Sequence, residues 1–301
     1  MTKYNEIGDL TNKVVVITGG TSGIGKEALT FFIKKNATVY FLGSSLSKGE
    51  LLLQEVRKIK EDAKIYFYQC NQGNLSEVKR VANNLLEKLD HIDVLINNAG
   101  VMRNPKFELT VDGIESQMGI NFISHYVLTS ILLPKLKNGN NPRILNVSSI
   151  AAQGAKIDYA HFNDYKKYKP SVVYSNTKLA MMSFGIFLDS FFKKNNINIK
   201  SIIVHPGVSK TGLFSRYKSK LMKFGGFFIR LISQTPFSGS LPLIIGAFSD
   251  GVESLDFIGP KCMFQTKGYP KKLKLYKKGT TSKTIDFFIN GAINITNIKF
   301  E

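Results

Sequence analysis

The chain has 301 residues, is 43% hydrophobic, and carries a formal net charge of +19 from 41 Lys and Arg against 22 Asp and Glu. That length suits one large α/β domain or two small ones with a substantial core, and the charge points to anionic partners such as phosphorylated cofactors or acidic lipid surfaces. Cys70 and Cys262 stand far apart and outside any CxxC pair, which argues against a disulfide scaffold or a zinc site and fits a reducing, cytoplasmic compartment.

The opening stretch MTKYNEIGDLTNK lacks the apolar core of a signal peptide, and no apolar run approaches the ~20 residues of a spanning helix. Residues 13–18, KVVVIT, are a short β-branched run ending in glycines, followed by a helical pattern from Ile24 to Lys35. Strand, turn and helix in that order open a doubly wound sheet. The turn reads Thr18-Gly19-Gly20-Thr21-Ser22-Gly23-Ile24-Gly25. Its glycines let the backbone approach a pyrophosphate, toward which the next helix aims its amides and dipole. A tight structural loop would show the same local pattern.

The second strand is ATVYFLG (37–43), and its end bears on adenosine recognition. An acid there would bond the ribose 2′-hydroxyl and repel a 2′-phosphate. Instead the chain runs Leu42-Gly43-Ser44-Ser45, with Lys26 and Lys48 close in sequence, which favours NADP(H) without excluding NAD(H). A charged helix (48–61), the strand KIYFYQC (64–70), the turn Asn71-Gln72-Gly73-Asn74 and a helix over 75–89 follow. The strand DVLIN (93–97) then runs into Asn98-Ala99-Gly100, small enough for close cofactor contact and equally suited to a capped turn. A long helix around 112–136 carries Asn121 among apolar neighbours, where a buried amide must find partners. PRILNV (142–147) is a fifth strand, ending in Ser148-Ser149.

Tyr174 and Lys178 fall four apart at the start of a helix through LAMMSFGIFLDSFFKK, hence on one face. A nearby ammonium favours the phenolate and draws a tyrosine, ordinarily near ~10, toward working pH, as a general acid or base requires. By itself the pair also reads as an aromatic ring packed on an aliphatic lysine stem.

Taken together, TGxxxGxG, NNAG, the mid-helix Asn, Ser and YxxxK, spanning 18–178, resemble the short-chain dehydrogenase/reductase family. Within it NNAGVM (97–102), GINFISHYVLTSILLP (119–134), RILNVSS (143–149) and VHPGVSKTGL (204–213) are most similar to the retinol dehydrogenase and WW-domain oxidoreductase-like branch. The resemblance implies a single Rossmann-type domain over 1–301: a doubly wound, mainly parallel seven-stranded sheet with helices on both faces, in three layers. It makes Tyr174 the proton donor and acceptor, Ser149 the hydroxyl that bonds the substrate oxygen, Lys178 the group that lowers the Tyr174 pKa and grips the nicotinamide ribose, and Asn121 the holder of a relay water. The cofactor would be held by Gly19, Thr21, Ser22, Gly23, Ile24, Gly25, Ser44, Asn71, Gln72, Asn98, Ala99, Gly100, Tyr174, Lys178, Pro206, Gly207 and Thr211. Two positions depart from the family pattern: Asn71 replaces an aspartate beside adenine, and Ser209 a branched apolar residue near the carboxamide. His91, His125 and His161 lack metal-ligand spacing, His205 reads as a packing residue, and no metal is expected.

The implied activity is interconversion of an alcohol and an aldehyde or ketone on an apolar substrate, retinoid-, steroid- or fatty-aldehyde-like. Substrate-side elements are expected at about 150–173 and 208–236. In the latter, LMKFGGFFIRLI (221–232) suits three placements: over a substrate pocket, at a membrane interface, or in a homodimer contact. SGSLPLIIGAFSD (238–250) predicts a helix on the sheet, and TSKTIDFFING a last helix with Gly291 beyond its end. Within the basic segment 256–301 no carboxylate separates Asp256 from Asp286, whereas Lys261, Lys267, Lys271, Lys272, Lys274, Lys277, Lys278 and Lys283 fall between them. A solvated lysine-rich face or a peripheral contact with a membrane or lipid droplet from the cytosolic side accounts for this. Nucleic acid is not expected, since no basic-aromatic RNA-binding motif or zinc finger is present. Two non-enzymatic readings stand beside the enzyme: an NADP(H)-binding sensor, and a membrane-surface interaction protein.

Overall fold

Short β-branched runs alternating with amphipathic helical ones produce a sheet covered on both faces. The computed structural model describes residues 1–102, 104–158, 168–209 and 233–301. Its strands are β1 (Val14–Thr18), β2 (Thr38–Gly43), β3 (Ile65–Gln69), β4 (Val94–Asn97), β5 (Arg143–Val147), β6 (Lys200–Val204), β7 (Phe257–Cys262) and β8 (Lys267–Leu273). The helices are α1 (Gly23–Lys34), α2 (Leu46–Ile59), α3 (Leu75–Lys88), α4 (Ser116–Met118), α5 (Ser124–Lys137), α6 (Pro170–Lys194), α7 (Pro236–Phe248) and α8 (Ser282–Thr296).

The eight-stranded sheet has the order β3-β2-β1-β4-β5-β6-β7-β8, and every pairing is parallel except that of β7 with β8. The order reverses between β1 and β4, and such a reversal opens a crevice at the carboxyl ends of the strands. Alternate strand residues feed two cores. Val15, Ile17, Val39 and Phe41 pack with α1, α2 and α7, while Val16, Tyr40, Leu42 and Leu95 pack with α3, α5, α6 and α8. Burial on both faces is why these strands read as unbroken apolar runs.

Three expectations are corrected. Among the described residues the sheet has eight strands, because the lysine-rich stretch after β7 reverses through Met263, Phe264 and Gln265, all at positive φ, and returns as antiparallel β8. Pro270 fits there because an edge strand leaves one row of amides unpaired. Second, α8 runs through Gly291 to Thr296 and stops at Asn297, with φ +54. Burial of Phe288, Ile289 and Ala292 outweighs the ~1 kcal/mol cost of a helical glycine. Third, α6 begins at Pro170, which has no amide to lose, so Tyr174 lies in its second turn rather than at its start.

Candidate active site

The predicted cofactor residues collect along the carboxyl edge of the sheet: Gly19 to Gly25 after β1, Ser44 after β2, Asn71 and Gln72 after β3, Asn98 to Gly100 after β4, Ser149 after β5, and Pro206 and Gly207 after β6. Thr211, the stretch 221–232 and residues 159–167 of the first substrate-side segment lie outside the described residues.

Two glycines make the β1 turn possible. Gly19 has φ +69, and a Cβ there would stand 2.8 Å from the Ala99 Cα; a Cβ at Gly25 would stand 2.3 Å from the Gly19 carbonyl oxygen. The turn and the β4 loop are thus packed backbone on backbone. Thr18 fastens them, its Oγ1 accepting the amides of Asn98 and Ala99, each at 2.9 Å. Asn98 Nδ2 donates back to the Thr18 carbonyl at 2.8 Å. Ser22 at the α1 N-cap makes no side-chain cap bond, so the amides of that first turn keep their capacity for an anion.

Two further observations fit a dinucleotide. Gln72 is 8% exposed, and both polar atoms of its buried amide lack a partner among the described residues, a costly arrangement unless a ligand group completes it. Asn71 Oδ1 accepts the Gly73 amide at 3.0 Å and keeps a second lone pair, so it can still accept a hydrogen bond as an aspartate would. The charge near the adenosine end is smaller than the sequence implied, because Lys26 is paired with Glu55. Lys48, exposed in the first turn of α2, carries that argument instead.

Asn121 is fully buried in a π-helical turn, Gly119–Ile123, that joins α4 to α5. Its Oδ1 accepts the Val101 amide at 2.7 Å, and its Nδ2 donates to the Val101 carbonyl at 2.9 Å and to Thr177 Oγ1 at 3.0 Å. Thr177 Oγ1 in turn donates to the Tyr174 carbonyl at 2.8 Å. The asparagine therefore ties the β4 loop to the turn of α6 that bears the tyrosine.

Lys178 follows one helical turn after Tyr174, and both are buried, at 5% and 8% exposure. The Lys178 Nζ donates to the Val147 carbonyl at 3.0 Å and lies 6.0 Å from the centre of the Tyr174 ring. Burial draws its pKa down to about 8. A Cβ at Gly100 would stand 3.5 Å from that Nζ and 3.1 Å from Asn121 Oδ1, so only glycine leaves this corner open. Ser149 is half-buried at the end of β5, its Oγ accepting the Ala151 amide at 3.2 Å. Its neighbour Ser148 is buried and donates to the Lys178 carbonyl at 2.7 Å, holding α6 to β5.

The sequence reading passed over Thr18, Thr177 and His125 as site residues. His125 is fully buried, with Nδ1 3.0 Å from the Asn121 carbonyl and Nε2 2.9 Å from Thr18 Oγ1. A carbonyl can only accept, so Nδ1 carries the proton and Nε2 accepts from the threonine hydroxyl. Burial lowers this imidazole to about 4 and keeps it neutral. Its position four residues after Asn121 was the available signal. His205 packs its ring 5.3 Å from that of Phe257 and accepts the Gly207 amide at Nδ1.

The family model for short chain dehydrogenases matches residues 13–221. Retinol dehydrogenase 11 of Mus musculus is 32% identical over 246 residues, 82% of this chain and 76% of that protein. A crystal structure of an uncharacterized protein from Mycobacterium Paratuberculosis superposes with a TM-score of 0.81 at 25% identity, covering 100% of this chain and 99% of the other. The 3-ketoacyl-(acyl-carrier-protein) reductase of Brucella melitensis, solved with NADH, shares the fold at a TM-score of 0.63 and 20% identity, over 82% and 97% of the two chains. The family match and the retinol dehydrogenase likeness agree with the geometry at the carboxyl edge: the chain belongs to the short-chain dehydrogenase family, as an oxidoreductase of its retinol dehydrogenase-like branch.

Proposed function

We propose that the protein interconverts an alcohol and an aldehyde or ketone on an apolar substrate, using NADP(H) in preference to NAD(H). The observation that carries this reading is the buried pairing of Lys178 with Tyr174, beside Gly100 and Asn121 at the carboxyl edge of the sheet. When bound, a nicotinamide would supply the hydride for reduction and accept it in oxidation. Gly19 to Gly25, Gln72, Asn98 to Gly100, Pro206 and Gly207 are the residues that would hold it.

Tyr174 gives its proton to the substrate oxygen during reduction and recovers it in the reverse direction. Lys178, protonated below about 8, favours the phenolate that results. Ser149 Oγ, already fixed by the Ala151 amide, donates its proton to the charge developing on the substrate oxygen. Both Nδ2 protons of Asn121 are spent on Val101 and Thr177, whereas its Oδ1, accepting the Val101 amide, keeps a second lone pair for a relay water.

The apolar substrate class rests on the likeness to retinol dehydrogenases, on the aromatic residues of the otherwise lysine-rich 155–173, and on the apolar stretch 221–232. The preference for NADP(H) rests on the acid-free end of β2 and on Lys48. A sensor that only binds cofactor is disfavoured because all four groups of the reacting set are present. Oxidation of NADPH and of NADH should be followed with retinal, medium-chain aldehydes, aromatic aldehydes and a steroid ketone, for the wild type and Tyr174→Phe. Turnover abolished in the variant, with cofactor fluorescence on binding unchanged, is the expected result; binding without turnover of any of these carbonyls would overturn the proposal in favour of the sensor.

A further inference from the structure

The β7–β8 hairpin presents an apolar tip that nothing in the reaction uses. Phe264 is 93% exposed and Met263 47%. This tip is built rather than frayed. Met263, Phe264 and Gln265 all hold left-handed backbone, at φ +46, +55 and +66. Thr266 pins the turn through its amide and its Oγ1, both donating to the Met263 carbonyl, at 3.2 and 2.7 Å. Tyr276 Oη donates to Gln265 Oε1 at 2.8 Å, and the Val208 amide donates to the Thr266 carbonyl at 2.7 Å. A conformation disfavoured for ordinary side chains, yet held from several directions, thrusts one aromatic ring into solvent.

A cation stands on each side of this tip. Lys261 precedes it and Lys267 follows it, whereas exposed Lys271 pairs with Gly259 farther down the hairpin. No carboxylate occurs between Asp256 and Asp286 in the chain. The hairpin also stands at the edge of the sheet that bears the candidate site. β7 runs parallel to β6, and the turn packs on the loop after β6, where a Cβ at Gly207 would meet the Thr266 carbonyl oxygen at 2.3 Å.

We infer that this hairpin tip docks the protein on an anionic lipid surface, with Phe264 and Met263 entering the boundary between headgroups and acyl chains and the flanking lysines meeting the headgroups. Lipid is the partner that suits these dimensions. A stable protein interface needs about 800 Å² from each side, far more than two side chains on a turn present. A membrane requires only a small apolar wedge ringed by cations, whose long stems lie along the interface. Docking at this edge turns the candidate site toward the phase in which an apolar substrate is dissolved.

The test is flotation of the full chain with phosphatidylcholine vesicles, with and without phosphatidylserine, for the wild type, Phe264→Ser, and Lys261→Glu with Lys267→Glu. The exposed ring can be replaced without touching the core, and circular dichroism with turnover of a water-soluble aldehyde verifies that the fold and site persist. The wild type should float with the anionic vesicles and at least about tenfold more weakly with neutral ones or at high salt. Phe264→Ser should weaken flotation at least about tenfold, and the lysine variant should abolish the preference for anionic lipid. Absence of wild-type flotation, equal flotation of all three proteins, or self-association in sedimentation that Phe264→Ser removes would each overturn the inference. Vesicle binding is read without turnover, so this outcome is separable from that of the proposed reaction.

Discussion

Replacing Lys178 with Met should disable the site while leaving the fold at neutral pH nearly as stable, because the ammonium is a thermodynamic burden where it stands. The Nζ is buried, its one charge-assisted bond among the described residues going to the Val147 carbonyl, and its pKa falls from 10.5 to about 8. That gap corresponds to about 3 kcal/mol lost from stability at neutral pH. Loss of the charged hydrogen bond in the variant removes about 1.5–3 kcal/mol, so the two effects nearly cancel. The sign with pH is fixed. Between about 8 and 10.5 the unfolded chain holds a proton that the folded one has released, so stability attributable to this group rises through that window and is lost as the pH falls through about 8. Methionine does not titrate. Urea unfolding of both proteins from neutral pH to about 10 should therefore show the wild type gaining roughly 2–3 kcal/mol relative to Lys178→Met. Other titrating groups cancel in the difference. A difference that stays flat to about 10 would refute the reasoning, since it would mean that the Nζ is solvated in the folded chain. Over the same comparison kcat/KM for carbonyl reduction should fall at least about 100-fold.

Other changes test the neighbouring geometry. His125→Ala leaves a cavity, bares the Asn121 carbonyl and Thr18 hydroxyl, and should lower unfolding free energy in urea by about 3 kcal/mol. Gly25→Ala places a Cβ 2.3 Å from the Gly19 carbonyl oxygen and should weaken cofactor binding, measured by fluorescence titration, at least about tenfold. Gly8→Ala meets nothing within 4 Å and should leave stability within about 0.5 kcal/mol. Ser44→Asp puts an acid at the end of β2 and should shift the NADPH to NADH ratio of kcat/KM toward NADH by about tenfold or more; an unchanged ratio would mean that the 2′-phosphate lies elsewhere.

Local pattern alone determined the order of strand and helix, the glycine turn after β1, and the pairing of Tyr174 with Lys178, since apolar periodicity and a four-residue spacing act over neighbouring residues. The same locality led to the end placed at Gly291, where a propensity of about 1 kcal/mol was overruled by an apolar face packed in the core. What decides the site is not local. Asn121 finds Val101 and Thr177, Thr18 finds His125, and the Lys178 Nζ finds the Val147 carbonyl only once distant segments meet. The charge argument changed for the same reason, because Glu55 lies far from Lys26 in sequence and against it in the fold. Strand β8 and its exposed tip were hidden inside a stretch that composition described only as basic. Composition records how many lysines a segment carries; the register of β7 with β8 decides that Lys261 and Lys267 are the two that flank the turn bearing Phe264.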